Sequence, residues 1–232
     1  MRVTACTGWV LHRRPWRESS LLVELFTTEH GRIGAVARGA RSARSAWRGL
    51  AEPFQPLELG WVRRGELATL NALEPVGQRL TLAGRSLWCG LYVNELLMRL
   101  LPRDDPAPLL YDHYQVTLTA LTSSQDQAAV MRRFEWHLLT ELGVMPQLDR
   151  EAESAQPLVP DQLYRLDPEA GPRSCDKPAA GTFPGRIFLM ADQAKATDPV
   201  ERRQLRDLMR LLIEHQLDGT TLQTPKLFRS WK

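Results

Sequence analysis

The sequence predicts an α+β fold, a small β-domain followed by a mainly helical region, and three observations carry that expectation. Short β-forming runs separated by turn residues fill residues 1–80. From about residue 83 the apolar residues recur at helical spacing instead. The chain's excess positive charge also belongs to the β-rich part, and arginine alone supplies it.

The elements follow in order. "VTACTGWVLHRR" reads as a first strand. "SLLVELFTTEHGRIGAVARG" gives two more, around residues 20–27 and 31–38, with "TEHGR" as the turn between them. "PFQPLELGWV" and "ELATLNALEP" are the fourth and fifth, joined through "RRGE" at 63–66, where Gly65 permits a tight hairpin. Pro53 and Pro56 mark the start of the fourth and point to an edge or bulged strand. Five short strands of this kind form a small closed barrel or a sandwich.

Leu87, Leu91, Leu97 and Leu101, joined by Val93, Leu96 and Leu100, make the apolar face of a helix that stops at Pro102. A second helix covers residues 108–121. A third opens with Ser124 and Gln127 as a capping-box pair and stops at Gly143. The last has Asp198 as N-cap, Pro199 at its first position, Glu201 at its third, and Gly219 beyond its end. Residues 146–197 are proline-rich and without sustained period; within them "LYRLDPEAGPR" and "GRIFLM" read as short strands.

Composition bounds the function. With 232 residues, 43% hydrophobic and 25% charged, the chain is of ordinary globular make-up and long enough for two small domains. No apolar run reaches the ~18 residues of a membrane span, and "MRVTACTGWVLHRRPW" lacks a signal-peptide core. Cys6, Cys89 and Cys175 are odd in number and far apart, which suits a reducing cytoplasm. The net charge of +3 conceals an asymmetry: residues 1–80 hold 12 Arg against 7 Glu, with no Lys or Asp. Guanidinium groups pair with phosphate in a two-pronged fashion and stack on flat rings, so this excess points to a polyanionic partner.

The excess is densest in "ARGARSARSAWRGL", where Arg38, Arg41, Arg44 and Arg48 lie between Glu29 and Glu52 with no acid in between. Their spacing would line one side of a helix, and a charged stripe is commonly only a solvated face. Solvated faces mix signs, however, and Gly39, Gly49, Ser42 and Ser45 favour a loop or short turns. Arg13, Arg14 and Arg17 leave the first strand, while Arg63 and Arg64 sit in the hairpin turn. If the barrel brings these loops to one rim, nine guanidiniums face one groove. Trp16 and Trp47 lie in the same segments and have two readings, base-stacking platforms or half-buried aromatics. Such chemistry engages backbone and reads no sequence, which fits single-stranded nucleic acid best.

Several chemistries find no signature. "GK" never occurs, so no phosphate-binding P-loop is present, and His-Glu-x-x-His, Gly-x-Ser-x-Gly and Gly-x-Gly-x-x-Gly are missing too. Cys175 has no partner cysteine nearby. We therefore expect no metal, no cofactor and no catalytic residue. Two other classes remain open at this point: a protein-interaction adaptor whose basic barrel never meets nucleic acid, and a nuclease with an unrecognised site.

The segment "GWVLHRRPWRESSLLVELFTTEHGRIGAVARGARSARS" followed by "LAEPFQPLEL" resembles the N-terminal region of the RecO family of bacterial recombination mediators. The resemblance continues in "LYVNELLMRLLPRDDP", "MRRFEWHLLTELGVMPQLD" and "TPKLFRSW", and so touches nearly the whole chain. It implies an N-terminal five-stranded OB-fold β-barrel (residues 1–80) and then a mainly α-helical domain (81–232) with an irregular insertion at about 146–197. It implies a non-enzymatic, cytoplasmic DNA-binding protein that binds single- and double-stranded DNA and anneals complementary strands. Such a protein works with RecR, sometimes RecF, in loading RecA onto gaps coated by single-strand binding protein. It also points to the helical domain as the seat of the acidic, hydrophobic C-terminal tail of single-strand binding protein. There Arg132 and Arg133 with Leu138 and Leu142 offer cations beside apolar side chains, or else solvated arginines above core leucines. Two departures stand out. Many relatives carry a four-cysteine zinc module where this chain has only Cys175, and the tail "LGGKPLKSR" of relatives is "LDGTTLQTPK" here, with fewer cations for any partner.

Overall fold

A computed structural model describes residues 1–194, 196 and 198–226. Most of the tail resemblance in "TPKLFRSW" lies outside these residues. Five strands, β1 (Arg2–Trp16), β2 (Ser20–Thr27), β3 (Gly31–Ala37), β4 (Pro56–Arg63) and β5 (Ala68–Pro75), close into a barrel in the order β1-β2-β3-β5-β4. All pairings are antiparallel except β3 with β5, where Ala35 faces Ala68 and Val36 faces Thr69. The barrel alternative is thus the one adopted. Pro56 opens a strand paired on both sides rather than an edge, and a bulge falls between Gly60 and Trp61.

Alternation fills the interior: Leu21, Val23 and Leu25 from β2 meet Ile33, Ala35, Leu57, Leu59, Trp61, Leu70 and Leu73. Each of the valines, leucines and isoleucine among them contributes on the order of 1.5–3 kcal/mol by leaving water. Strand β2 is buried on its other face as well, because α1 (Arg85–Leu100) and α2 (Pro108–Ser123) belong to the same compact unit. Phe26 packs on Tyr111 and Tyr114 with ring centroids 5.3 and 5.8 Å apart, and Trp9 meets Tyr114 edge-on. The Tyr114 hydroxyl donates to Asn94 Oδ1 at 2.8 Å, and Asn94 Nδ2 donates to the Leu11 carbonyl at 2.9 Å. Burial holds the Tyr114 phenol far above its usual range, so it stays a neutral donor.

The loop between α1 and α2 is laced to the barrel by charge. Glu24, on the outer face of β2, receives Arg32 at 3.0 Å and also Arg103. Arg32 Nε donates to the Leu101 carbonyl at 2.9 Å, and the Asp104 amide donates to the Arg32 carbonyl at 2.9 Å.

The second compact unit, Ser124–Thr221, holds α3 (Gln127–Glu141), the sheet of β6 (Leu163–Asp167), β7 (Gly171–Ser174) and β8 (Thr182–Pro184), then α4 (Gly185–Leu189) and α5 (Pro199–Gln216). Asp198 caps α5 as its sequence predicts, accepting from the amides of Val200 and Glu201 at 2.8 and 3.1 Å. Two expectations are corrected. The N-cap of α3 is Asp126, which accepts from the Ala129 amide at 3.1 Å; Ser124 stands two residues earlier and its hydroxyl accepts from the Asp126 amide instead. "GRIFLM" is helix over Gly185–Leu189, not strand: Gly185, Ile187 and Phe188 are its buried positions, with Gly185 and Phe188 at a helical spacing that a short apolar run disguises.

Candidate nucleic-acid interface

Strand β1 outruns one of its neighbours. It pairs with β4 only as far as Trp9 opposite Pro56, but with β2 as far as Trp16 opposite Ser20. Residues 10–16 therefore form a hairpin arm with β2 whose other edge lacks a β4 partner. Loop 38–55 lies against that arm. The Arg41 amide donates to the Ser19 carbonyl at 2.8 Å, and its Nη1 donates to the carbonyls of Arg17 and Glu18 at 3.3 and 3.2 Å. Arg13 reaches Glu52 of the loop through two bonds, Nε to Oε2 at 2.8 Å and Nη2 to Oε1 at 2.7 Å.

The loop is a run of tight turns, as its glycines and serines suggest. Amide-to-carbonyl bonds link Ser42 to Gly39, Ser45 to Ser42, Arg48 to Ser45 and Leu50 to Trp47 at 2.9–3.2 Å. Gly39 and Gly49 take φ of +68° and +79°, the left-handed region where a side chain is strained. Three-residue turns account for the arginine spacing: Arg38, Arg41 and Arg44 fall one per turn, and all three are exposed together with Arg48. Beneath them Ala40 and Ala51 are buried in the barrel core, with Val3, Trp47 and Leu50 packed against it. The Trp47 ring thus takes the half-buried packing role rather than standing free. A pocket of about 320 Å3 opens here, lined by Arg13, Leu21, Ala40, Arg41, Arg48, Gly49, Ala51 and Glu52.

Not all predicted residues share this end. Arg17 is exposed at the hairpin tip with φ +53°, and Arg14 is exposed on β1 beside Arg13. Arg63 and Arg64 are elsewhere. Because β4 runs antiparallel to β1, its last residue meets the chain's beginning: the Arg63 amide donates to the Met1 carbonyl at 2.9 Å. Arg63 is moreover ion-paired to Asp104. Strand direction separates these two from the other arginines, which sequence order could not show.

OB barrels commonly bind oligonucleotides across strands β2 and β3. Here α1, α2 and the loop between them cover much of that face through Phe26, Glu24 and Arg32, leaving the arm and loop 38–55 as the open basic surface. A partial signal was in the sequence: in "SLLVELFT" Leu22 and Phe26 stand on the face opposite Leu21, Val23 and Leu25, so large apolar side chains occur on both faces.

In the second unit, Arg132 donates to Glu135 at 2.6 Å and to the Arg206 carbonyl at 3.3 Å, while Arg133 is exposed. Leu138 is fully enclosed in the core and offers nothing to a docking peptide; Leu142, at the helix end, is half-buried. Core packing explains that correction, since Phe134, Leu138 and Leu139 line the buried side of α3. Among the described residues no three His, Cys, Asp or Glu side chains converge as metal ligands, and no helix is long and apolar enough to cross a membrane.

A closed five-stranded OB-type barrel followed by a helical region defines the class of fold. The particular family is given by comparison. Residues 1–79 match the family model described as Recombination protein O N terminal, and residues 83–225 match Recombination protein O C terminal. The chain is 42% identical to DNA repair protein RecO of Methylococcus capsulatus over 99% of this chain and 94% of that one. It is 40% identical to DNA repair protein RecO of Nitrosospira multiformis over 100% and 97% of the two chains, and 40% identical to that of Halorhodospira halophila over 96% and 95%. The chain belongs to the RecO family of DNA repair proteins.

Proposed function

We propose that the chain is a cytoplasmic, nucleoid-associated recombination mediator. It binds single- and double-stranded DNA through the basic end of its barrel, anneals complementary strands and helps load RecA on gaps coated by single-strand binding protein. The supporting observation is the clustering of Arg13, Arg41 and Arg48 around one pocket, with Arg38 and Arg44 exposed on the same loop. A cationic surface indifferent to base identity neutralises two strands at once and so lowers the repulsion that slows their pairing. No covalent chemistry is required.

Arg133, exposed on α3, together with the half-buried Leu142, supports docking of the acidic tail of single-strand binding protein; Arg132 contributes through its stem. RecR, with RecF in some settings, is the expected co-mediator.

The test is a salt titration of oligonucleotide binding by Arg41→Ala/Arg44→Ala. Each lost phosphate contact lowers the logarithmic slope by about 0.7 on a single strand and about 0.9 on duplex, so the double variant should bind every sequence more weakly and with a flatter slope. An unchanged slope removes the loop from the interface. Failure of the wild-type chain to bind any oligonucleotide at low salt would favour the adaptor reading.

A further inference from the structure

We infer that the pocket at the basic end of the barrel takes one unstacked nucleotide, base inward, and so makes this surface prefer single strands to duplex. The inference rests on the DNA-binding reading above and adds to it the part of the ligand that is recognised.

Phosphate contacts alone would not favour the single strand, because duplex presents the denser backbone charge to an arginine. The pocket offers something further. Its floor is small and apolar: Leu21, Ala40 and Ala51 are each at most 4% exposed. Arg13, Arg41, Arg48 and Glu52 line the pocket as well. An apolar floor with a few convergent polar groups is the make-up of sites that hold small ring systems, and about 320 Å3 sits at the lower end of their usual ~300–1,000 Å3. Enzymes that extrude a base likewise hold it between apolar side chains and read its edge by hydrogen bonds.

The guanidiniums are placed for such a ligand rather than loose. Arg41 is fixed by the carbonyls of Arg17 and Glu18, and Arg13 by Glu52. Arg48 is exposed, lines the same pocket and has no side-chain partner among the described residues, which leaves it to the nucleotide's phosphate. The arm and loop that form the pocket are joined by the Arg41–Ser19 backbone bond, so the cavity exists before any ligand arrives. In a duplex each base is paired and stacked, and entry would require flipping it out. In a single strand only stacking is lost, so the pocket discriminates between them.

The experiment compares wild type and Ala51→Leu on three probes: a twelve-residue oligothymidine, the same length of abasic backbone, and a mixed-sequence duplex. A single 2-aminopurine placed in the oligothymidine reports unstacking by its fluorescence. Wild type should bind oligothymidine roughly tenfold more tightly than the abasic strand, the scale of one buried base, with a rise in 2-aminopurine emission. Ala51→Leu, whose larger side chain crowds the pocket, should abolish both the preference and the rise. Equal wild-type affinity for the thymidine and abasic strands overturns the inference and leaves DNA binding intact. So does a preference that persists in Ala51→Leu. If that variant does not fold, the wild-type comparison alone decides. Absence of binding to all three probes overturns the DNA-binding reading itself.

Discussion

Arg13 and Glu52, 39 residues apart, form a two-bond ion pair that ties the β1–β2 arm to the arginine loop. Glu52 is the one carboxylate lining a pocket that otherwise carries Arg13, Arg41 and Arg48. It therefore occupies the fork that a phosphate would otherwise take, because a two-pronged guanidinium–carboxylate pair has the same geometry as guanidinium with phosphate.

Glu52→Gln should accordingly strengthen DNA binding. The amide neutralises the competitor while keeping its shape, so Arg13 becomes available to the backbone. The logarithmic salt slope on single strands should steepen by about 0.7, one more phosphate neutralised. Titration of a labelled oligonucleotide at four salt concentrations reads this directly. Weaker binding with an unchanged slope would mean that the pair's role is to hold the loop, and that Arg13 is no part of the interface.

A different carboxylate holds the fold. Glu24 is 8% exposed and lies between Arg32 and Arg103, so its removal leaves two guanidiniums facing a covered sheet. Glu24→Ala should cost about 3 kcal/mol in urea unfolding, the scale for breaking an enclosed ion pair by deleting one member. Replacing Arg103, which is 41% exposed in its side chain, should cost under about 1 kcal/mol, since water takes over its role. Equal losses from the two variants would argue against Glu24 as the organising charge.

What was legible in the sequence follows from range. The strands β1–β5, the caps of α5 and the turn character of loop 38–55 depend on residues close in sequence, and periodicity with glycine, serine and proline placement reveals them. The convergence of Arg13 with Arg41 and Arg48 was readable in part, because both segments flank the same hairpin end. The separation of Arg63 from them depends on strand direction around a closed barrel, which no local pattern encodes. The helix at 185–189 was hidden because Ile187 and Phe188 favour strands locally while packing with Tyr164 and Phe183 decides otherwise, at ring distances of 6.4 and 5.9 Å to Phe188. The enclosure of Leu138 and the packing of Trp47 are likewise long-range outcomes.

Gly31 supplies a prediction of backbone strain. Its φ is +62°, and a Cβ there would stand 1.9 Å from the Asp105 carbonyl oxygen. Gly31→Ala must displace the loop that carries Arg103 and Asp104 as well as take an unfavourable conformation. A loss of more than about 2 kcal/mol is expected, above the ~1 kcal/mol of a simple glycine replacement. Thermal unfolding with Gly39→Ala as comparison tests it, because a Cβ at Gly39 meets nothing within 4 Å and costs only the conformational part. Similar losses for the two would remove the contact with Asp105 from the account.

The small sheet of the second unit should be acid-sensitive through Glu151. Its Oε2 accepts from the Ser154 amide at 2.6 Å, the Ser154 hydroxyl at 2.7 Å and the Glu153 amide at 3.0 Å, while Oε1 accepts from Ser174 at 3.3 Å. These donors, the Ser154 amide foremost, hold its pKa below the ordinary value of 4.5. Asp167 is lowered from 3.8 in the same way by the amides of Ala170 and Glu169 and then by Arg173. A carboxylate whose pKa is lower in the folded state stabilises that state fully above its unfolded value, and the contribution is lost as pH falls through the folded one. Protection of the Ser154 and Ser174 amides from hydrogen exchange should therefore be constant from neutrality to about pH 5 and then decline, once the intrinsic exchange rate is corrected for pH. Glu151→Gln should lower protection at neutral pH and flatten the decline, since the amide keeps one acceptor and has no charge to lose. A decline of the same steepness in Glu151→Gln would assign the acid sensitivity to Asp167 or to the rest of the unit instead.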